Sequence, residues 1–433
     1  MRSIEDIKQL GIVGAGGAGF PTHIKLQSRP EFVILNAAEC EPLLHKDKVL
    51  LEHHADAVFQ GMQTAMAITG APTGLVGIKV KHTALIQALK KIAPPSIQIV
   101  PIGDFYPAGD EVTLIHQTTG RIVQPGALPS SVGCLVMNVE TAYNMVQDMP
   151  VVDKYLTVAG EVRQPLTVKV PIGTSYMDVL SHFEPTHRKV RVRSGGLMMG
   201  TLENDLNTVV TKTTGGLILL PADHYCIETY ERYASPETTD RMAKASCDQC
   251  SFCTEYCPRY LLGHPVRPEI AMRNRMFTRS DMDLHHNGNA FCCECNLCTF
   301  YSCPESLDPK GATVMEKRMA QQKEKWEGLP VKEHPMLNYR KVPTKKLKQR
   351  LDVLRYRDEG PLADFEINPD VVRIPLKQHI GAPANPKVST GNQVRRYDLI
   401  AEASAEVSAN IHASIDGRVS EVNEMEIIIQ RQS

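Results

Sequence analysis

Two runs of closely spaced cysteines decide the fold of this chain: CDQCSFCTEYCP at residues 247–258 and CCECNLCTFYSCP at residues 292–304. The first run has the spacing C-x2-C-x2-C-x3-C-P, and the second has one extra residue before its last cysteine. Three thiolates two residues apart can wrap one face of a metal cluster while a fourth arrives from a distance. The proline that ends each run turns the chain away, because it fixes φ and has no N–H to donate.

This spacing is that of bacterial ferredoxins with two iron–sulfur clusters, in which the fourth cysteine of each run ligates the other cluster. We therefore predict two [4Fe-4S] clusters. The first would be held by Cys247, Cys250, Cys253 and Cys303, and the second by Cys292, Cys295, Cys298 and Cys257. Cys293 interrupts the spacing and is predicted to be a bystander, a buried free thiol.

Zinc and disulfides are the alternatives for these cysteines. Structural zinc sites more often pair two C-x2-C knuckles or include histidine than repeat three cysteines at x2 spacing. A disulfide lattice is typical of short secreted chains, and the first residues here, MRSIED, contain no apolar signal segment. Iron–sulfur clusters are therefore favoured.

Composition excludes several classes of function. With 433 residues the chain can bury several cores, and a net charge of -1 gives no overall field that would attract nucleic acid or anionic lipid. No apolar run approaches the roughly 18 residues of a spanning helix, so no membrane span is expected. Twelve cysteines suit a reducing compartment, and Cys40, Cys134 and Cys226 are predicted to be ordinary buried residues.

A glycine-rich loop, GIVGAGGAGFPTHIK, occupies residues 11–25. Gly14, Gly16 and Gly19 fit the dinucleotide pattern G-x-G-x-x-G, but that pattern must follow a strand, and here a short helical segment precedes it, so a Rossmann fold is rejected. The loop can still approach a phosphate or a flat ring closely and bind an anion. Pro21 would begin a helix whose N-terminus favours an anion, and Lys25 would add a charge. A plain glycine-rich turn is the alternative.

Strand and helix patterns alternate through the first part of the chain, which indicates an α/β domain with a largely parallel sheet. Strands are predicted at residues 31–36, 74–80 and 98–101, with helices at residues 3–10, 50–70 and 82–92. The first strand ends in the polar segment NAAECEP at residues 36–42, where open α/β sheets place ligands. Asp110 and Glu111 follow a turn at a helix start, where carboxylates are either solvated or bind a ligand.

Five segments follow from these patterns. We predict an α/β domain at residues 1–150, a β-grasp domain at residues 151–222, an α-helical two-cluster domain at residues 223–325, a linker and helix at residues 326–370, and a small β domain at residues 371–433. The last resembles a biotinyl/lipoyl hammerhead, or barrel-sandwich hybrid. Residues 401–413 contain no lysine for a swinging arm, so a structural module is expected.

Taken together, the parts resemble the flavin subunit of complex I and the C subunit of Rnf complexes. The shared motifs are GAGGAGFP at residues 14–21, NAAECEP at residues 36–42, YPAGDE at residues 106–111 and NVET at residues 138–141. The resemblance implies a soluble-ligand-binding β-grasp domain and an FMN site that also receives NADH. It assigns cofactor binding to Gly14, Gly16, Gly17, Gly19, Lys25, Asn36, Glu39, Glu41, Asp110 and Asn138, and a catalytic role to Glu111.

The order of the parts separates two subfamilies. In Rnf complexes the related subunit has the hammerhead before the flavin domain, whereas here it is C-terminal, as in the cobalamin reductase family of propanediol-utilisation microcompartments. That resemblance implies electron transfer from NADH through FMN and two [4Fe-4S] clusters to cobalamin, for reactivation of a B12-dependent diol dehydratase. It also implies adenosyltransferase and shell proteins as partners, and a place in the bacterial cytoplasm within a microcompartment.

Two other functions stay open. The chain could be an Rnf-like electron-input subunit of a membrane complex, or a non-catalytic electron-transfer component of a microcompartment shell. No corrinoid motif of the type D-x-H-x-x-G is present, so the sequence does not locate a corrinoid site.

Overall fold

The computed structural model describes residues 2–276, 288–319 and 326–432. The expected fold class is confirmed: an α/β unit, a β-grasp unit, a helical unit that carries the cysteine runs, and a C-terminal two-sheet β unit. In the described part of the chain, no helix is both long enough and apolar enough to cross a membrane.

The N-terminal unit is built on a parallel four-stranded sheet of order β3-β2-β1-β5. Strands β1, β2 and β5 are almost fully buried, as expected when helices cover both faces, whereas the edge strand β3 is partly exposed. The predicted strands and helices are confirmed within a few residues. The elements are α1 (Ile4–Gln9), α2 (Thr22–Lys25), β1 (Phe32–Ala37), α3 (Lys46–Thr69), β2 (Thr73–Lys79), α4 (Thr83–Ile92), β3 (Ile97–Ile102), β4 (Phe105–Tyr106), α5 (Glu111–Thr119), β5 (Cys134–Asn138) and α6 (Val139–Asn144).

The order of these strands determines where a ligand can bind. From β1 the chain continues to β2 on one side, whereas β5 pairs with β1 on the other, so the direction of winding changes between β1 and β5. Open α/β sheets bind ligands outside the carboxyl ends of the strands at such a switch point. Here those ends carry Asn36 and Asn138.

The second unit is a five-stranded mixed sheet of order β7-β6-β10-β8-β9. The predicted hairpin is confirmed, because β6 and β7 pair antiparallel, and β10 then joins β6 in parallel. The elements are β6 (Asp153–Gly160), β7 (Leu166–Pro171), α7 (Tyr176–Leu180), β8 (Val190–Ser194), β9 (Thr201–Glu203) and β10 (Gly216–Pro221).

The third unit is helical, as predicted, and carries both cysteine runs. Its described α-helices are α8 (Tyr225–Arg232), α9 (Pro236–Ser246), α10 (Phe252–Glu255), α11 (Pro258–Leu261), α12 (Pro268–Met276) and α13 (Pro309–Met319), and it also contains a 3-10 helix at Asn289–Phe291 and a π-helical turn at Cys298–Ser302. The predicted end of this unit at residue 325 lies outside the described residues.

The segment at residues 326–370, predicted as a linker with a helix, also packs against the N-terminal unit. Its short strand β11 (Val342–Pro343) pairs with β4, and the following helix α14 (Thr344–Arg350) packs Leu347 completely inside. Leu351 is also buried, whereas Leu354 is half exposed. The segment is therefore a strap fixed to the N-terminal unit.

The C-terminal unit consists of two small sheets of order β12-β18-β17-β14 and β13-β15-β16. Its elements are β12 (Val371–Pro375), β13 (Asn385–Pro386), β14 (Gln393–Val394), β15 (Leu399–Glu402), β16 (Ile411–His412), β17 (Gly417–Val422) and β18 (Glu426–Gln430). Aliphatic residues from both sheets, including Ile374, Ile400 and Val419, share one core.

Candidate functional site

A cavity of about 1030 Å³ lies at the carboxyl ends of β1 and β5. Ligand sites of small molecules range from about 300 to 1,000 Å³, so the space suits a large cofactor together with part of a substrate. The structure brings every residue predicted for the flavin side to the wall of this one cavity: Gly14, Gly16, Gly17, Gly19, Lys25, Asn36, Glu39, Glu41, Asp110, Glu111 and Asn138.

The glycine loop forms one side of the cavity. Its ends are joined because the N–H of Gly14 donates to the carbonyl of Phe20 over 2.9 Å. Gly17 has a φ of 113°, and a Cβ placed there would meet no described atom within 4 Å, so its open side faces free space. At Gly16 a Cβ would lie 3.4 Å from that of Asn138. This backbone fits a cofactor that approaches closely, as FMN would.

Two expectations about the loop are modified by the structure. Helix α2 has only four residues, with Pro21 at its N-cap, so its dipole adds little to anion binding. A Cβ at Gly19 would lie 2.9 Å from Cγ2 of Thr213 and 3.1 Å from Cα of His379. Gly19 is therefore needed for packing against the β-grasp and C-terminal units as well as for lining the cavity.

A network of buried charged side chains supports the glycine loop. The ammonium of Lys46 lies 2.6 Å from Asp47 and 3.2 Å from Glu140, and Lys154 pairs with Glu140. Lys154 also donates to the carbonyl of Ala15 over 3.4 Å. Although burial opposes it, Lys154 and Lys46 lower the pKa of Glu140, so this carboxylate stays charged.

Sequence reasoning missed Lys154 because it lies on β6, in another unit and outside every motif. Its one sequence signal is a lysine at the start of a mostly apolar strand. Asn138, which was predicted, is fixed by the same network, since its amide donates to Asp47 over 2.7 Å.

The polar segment at the end of β1 supplies four residues to the cavity: Asn36, Glu39, Cys40 and Glu41. Asn36 donates its amide to the carbonyl of Gly109 over 2.8 Å. Burial and the charge of Asp47 raise the pKa of Glu39. Glu41 accepts hydrogen bonds from the backbone N–H groups of Met198 and Met199, at 2.8 and 2.9 Å.

Those methionines belong to a β-grasp loop, residues 194–201, which forms a second wall that the sequence did not indicate. Tyr230 donates its hydroxyl to the carbonyl of Leu197 over 2.7 Å, and the buried Arg193 donates to that of Gly200 over 2.5 Å. The wall also includes Thr211, Thr213, Thr214, Gly215 and Ile380. The two glycines in SGG at residues 194–196 were a local signal for a loop that passes close to other atoms.

Lys25 and Glu111 form an ion pair at the cavity, with Nζ 3.3 Å from Oε1, and Lys25 also donates to the carbonyl of Val136. Lys25 therefore has a partner of its own in the protein. Asp110 caps helix α5 through the N–H of Thr113 and pairs with Arg259 of the helical unit at 2.8 Å.

The two cysteine runs adopt the same backbone conformation. Gln249 and Ser251 in the first run have positive φ values of 54° and 66°, and Glu294 and Asn296 have 56° and 66° at the equivalent positions of the second. Non-glycine residues adopt this conformation rarely. Its repetition shows two loops that curl their first three cysteines in the same way.

The extra residue of the second run is absorbed by a π-helical turn at Cys298–Ser302, where the N–H of Cys303 donates to the carbonyl of Cys298. A π turn accommodates one residue more than an α turn. Cys303 can therefore reach the first set of thiols despite the longer spacing.

The thiols group across the two runs. Burial raises the pKa of Cys253, and Cys303, Cys250 and Cys247 add to the rise. Burial likewise raises the pKa of Cys257, with Cys292 and Cys293 adding to it. Cys303 thus lies near the thiols of the first run, and Cys257 near those of the second, while the two ligand sets stay predictions.

All twelve cysteines lie in the described residues and are free thiols. Cys134 and Cys226 are buried, as expected, whereas Cys40 is half-buried and lines the cavity. Within the described residues, no group of three or more His, Cys, Asp or Glu side chains could hold a single metal ion. The ligands of a [4Fe-4S] cluster need a different arrangement. Each thiolate binds a different iron atom, so the four sulfur atoms do not converge on one point.

The second thiol set reaches the flavin-side cavity. Both Cys293 and Cys295 line it, and the hydroxyl of the buried Tyr106 donates to the carbonyl of Cys295 over 2.7 Å. Cys293, predicted as a buried bystander, is half-buried between the cavity and this set.

Comparison with known proteins identifies the family. The chain is 40% identical to the cobalamin reductase PduS of Salmonella typhimurium, over 99% of this chain and 96% of that protein. It is 39% identical to the cobalamin reductase PduS of Citrobacter freundii over the same shares. The chain belongs to the PduS cobalamin reductase family.

Domain families cover most of this family member. The Nuo51 FMN-binding domain matches residues 7–147, the 4Fe-4S dicluster domain residues 246–308, and the RnfC barrel sandwich hybrid domain residues 355–433. The expected relation to Rnf is confirmed by a 35% identical match to the C subunit of the Na(+)-translocating ferredoxin:NAD(+) oxidoreductase complex of Acetobacterium woodii. That match covers 58% of this chain and 56% of the other.

Among solved structures, the NAD+-reducing [NiFe]-hydrogenase in its H2-reduced state has a similar fold, with a TM-score of 0.50 and 20% identity. The match covers 72% of this chain and 60% of the hydrogenase chain. Together these findings confirm that this PduS family member is an oxidoreductase with an FMN-binding domain and an iron–sulfur domain. The segment boundaries and the roles of single residues stay predictions.

The first prediction concerns the glycine loop. Gly17→Val should weaken FMN retention at least tenfold, about 1.4 kcal/mol, because the side chain would occupy the space beside the loop. Gly16→Val should do the same by meeting Asn138. Flavin per protein after desalting is the measurement. Gly70→Val is the matched control, since Gly70 also has a positive φ and open surroundings but lies at the end of α3. Full occupancy in both loop variants would place the flavin elsewhere.

The second prediction concerns pH. Burial raises the pKa of Glu41 to about 7, while the hydrogen bonds from Met198 and Met199 act in the opposite direction. Because this pKa lies above the ordinary value of 4.5, the folded protein holds the proton more tightly, and the contribution of Glu41 to stability falls as pH rises through this window.

Glu41→Gln cannot titrate, so its free energy of unfolding relative to the parent should rise between about pH 5 and pH 8, by on the order of 2 kcal/mol. Urea unfolding followed by circular dichroism measures this difference. The exposed Glu228→Gln is the control and should show no such trend. If the free energy of unfolding changed by the same amount in the parent and in Glu41→Gln between about pH 5 and pH 8, this would contradict the raised pKa of Glu41.

Proposed function

We propose that this protein is an NADH-dependent cobalamin reductase that binds FMN and two [4Fe-4S] clusters. The observation that carries the proposal is the single cavity that the flavin-site residues share with Cys295 of the second thiol set. Membership of a family whose relatives are named cobalamin reductase supports cobalamin as the acceptor.

Within this proposal each group of residues has a task. Bound FMN would convert the two-electron donation of a hydride into single-electron transfers. Gly16, Gly17 and Asn138 would hold FMN, and Glu111, in its ion pair with Lys25, would orient the nicotinamide at the same cavity. Hydrogen bonds from Met198 and Met199 to Glu41 fix the loop at residues 194–201, and this fixed wall would limit the movement of NADH in the cavity.

The cysteine sets supply the onward route. Cys292, Cys295, Cys298 and Cys257 would hold the cluster nearer the cavity, and Cys247, Cys250, Cys253 and Cys303 the further one. Burial raises the pKa of Cys298, and both Cys253 and Cys257 add to the rise, which supports adjacent sets. Electrons would thus pass from the cavity to one cluster and then to the other.

The biological setting belongs to the same proposal. Reduction of cob(III)alamin to cob(II)alamin, or further to cob(I)alamin, would serve an adenosyltransferase and the reactivation of a B12-dependent diol dehydratase. The family name supports a place with shell proteins in a propanediol microcompartment. An Rnf-like input subunit is less well supported, because the Rnf relative matches only 58% of the chain.

The third prediction is the metal content. Anaerobically reconstituted protein should contain about eight iron atoms per chain and show the broad visible absorbance of cubanes. Iron and zinc are measured together by elemental analysis. Stoichiometric zinc without iron would refute both clusters.

The fourth prediction is that flavin and clusters act in series. Cys250→Ala should damage the further cluster while FMN stays bound and is still bleached by NADH, because Cys250 is exposed and absent from the cavity wall. Reduction of aquacobalamin should fall at least tenfold, whereas ferricyanide, which can reach the flavin, should still be reduced. Both acceptors are assayed anaerobically with NADH.

Glu111→Gln provides the opposite case. It keeps an oxygen that can accept from Lys25 but removes the charge, so bleaching by NADH should slow while dithionite still reduces the clusters. Intact cobalamin reduction by Cys250→Ala protein that has lost a cluster would show that the serial route is wrong.

A further inference from the structure

Arg259 lies between the cavity and the second thiol set without a full set of partners. It lies two residues after Cys257, and 11% of its side chain is exposed. One terminal nitrogen, Nη2, donates to Asp110 on the cavity wall over 2.8 Å. Among the described residues, its buried Nε and Nη1 have no hydrogen-bond partner.

Buried donors without partners are rare and costly, since each loses its water without compensation. Two such donors on one guanidinium therefore indicate an acceptor that completes the site. The position of Arg259 indicates which one: it follows Cys257 by two residues, and its partner Asp110 lines the same cavity as Cys293 and Cys295. Two of these three cysteines, Cys257 and Cys295, are predicted ligands of the second cluster.

We propose that Arg259 donates hydrogen bonds to the sulfur atoms of the second cluster and raises its reduction potential, with Asp110 holding the guanidinium in place. The inference rests on the proposed function, because it requires that cluster. A reduced cluster carries one more negative charge than an oxidised one. A fixed cation that donates to its sulfurs stabilises the reduced form and makes the cluster a better acceptor for electrons that leave the cavity.

The fixed geometry is as important as the charge. The planar guanidinium holds its donors in a rigid fork, so it can donate to Asp110 and to sulfur in one fixed orientation, whereas the ammonium of a lysine is a point charge on a flexible stem. Asp110 also caps helix α5, so its carboxylate is held by the N–H and hydroxyl of Thr113, both at 3.0 Å. The pair Asp110–Arg259 is therefore a rigid link from the cavity wall to the cluster.

The test is a redox titration followed by electron paramagnetic resonance on reconstituted Arg259→Met and Arg259→Lys proteins. In Arg259→Met the ratio of oxidised to reduced second cluster should rise at least tenfold at a fixed potential, which is a fall of about 59 mV for a one-electron couple. Arg259→Lys should fall between this variant and the parent. The same titration in a Cys250→Ala background assigns the signal to the second cluster.

Arg340→Met is the control. Arg340 pairs with Glu255 at 2.7 Å but is 29% exposed, so loss of its charge should leave both potentials unchanged. An unchanged second cluster in Arg259→Met, or equal shifts of both clusters, would overturn the proposal. If the Arg259→Met protein loses the cluster, the potential of the second cluster in the Arg259→Lys protein decides. A parent-like potential in that variant would refute the role of the planar guanidinium. A parent protein without iron would refute the proposed function instead.

Discussion

The ion network of Lys46, Asp47, Glu140 and Lys154 is the interaction on which the site depends. Its members come from the start of α3, from α6 and from β6, so it joins the N-terminal unit to the β-grasp unit. All four are almost completely buried. Removing one partner of a buried pair leaves an uncompensated charge and costs about 3–5 kcal/mol. The glycine loop depends on the network, because Lys154 binds the carbonyl of Ala15 and Thr141 accepts from its N–H.

A similar constraint links the β-grasp loop at residues 194–201 to both functional regions. Glu41 of the cavity accepts from its backbone, and Asn296, between two predicted cluster ligands, donates to the carbonyl of Met198 over 3.1 Å. Hydride transfer and electron transfer both require fixed distances between donor and acceptor. The β-grasp unit meets that requirement by contacting the cavity and the second cysteine run at once.

The sequence predicted the features that depend on local spacing. The cysteine runs, the alternation of strands and helices, and the polar end of β1 are local patterns, and each appears in the structure as expected. It did not predict contacts between distant segments, such as Lys154 with the glycine loop or Glu41 with Met198. Neither Lys154 nor Glu41 belongs to a periodic pattern in the sequence. The partner of each depends on how the units pack against one another. The place of Cys293 at the cavity was missed for the same reason, since its spacing shows only that it interrupts a run.

The position of the C-terminal unit in the chain matters less than its packing. It covers the glycine loop from outside, where the N–H of Ile380 donates to the carbonyl of Gly19 over 3.3 Å. Lys212 of the β-grasp unit completes the contact, because its buried ammonium donates to the carbonyls of Gly11 and Asn410. These contacts require a surface of given shape beside the loop and do not depend on which end of the chain supplies it.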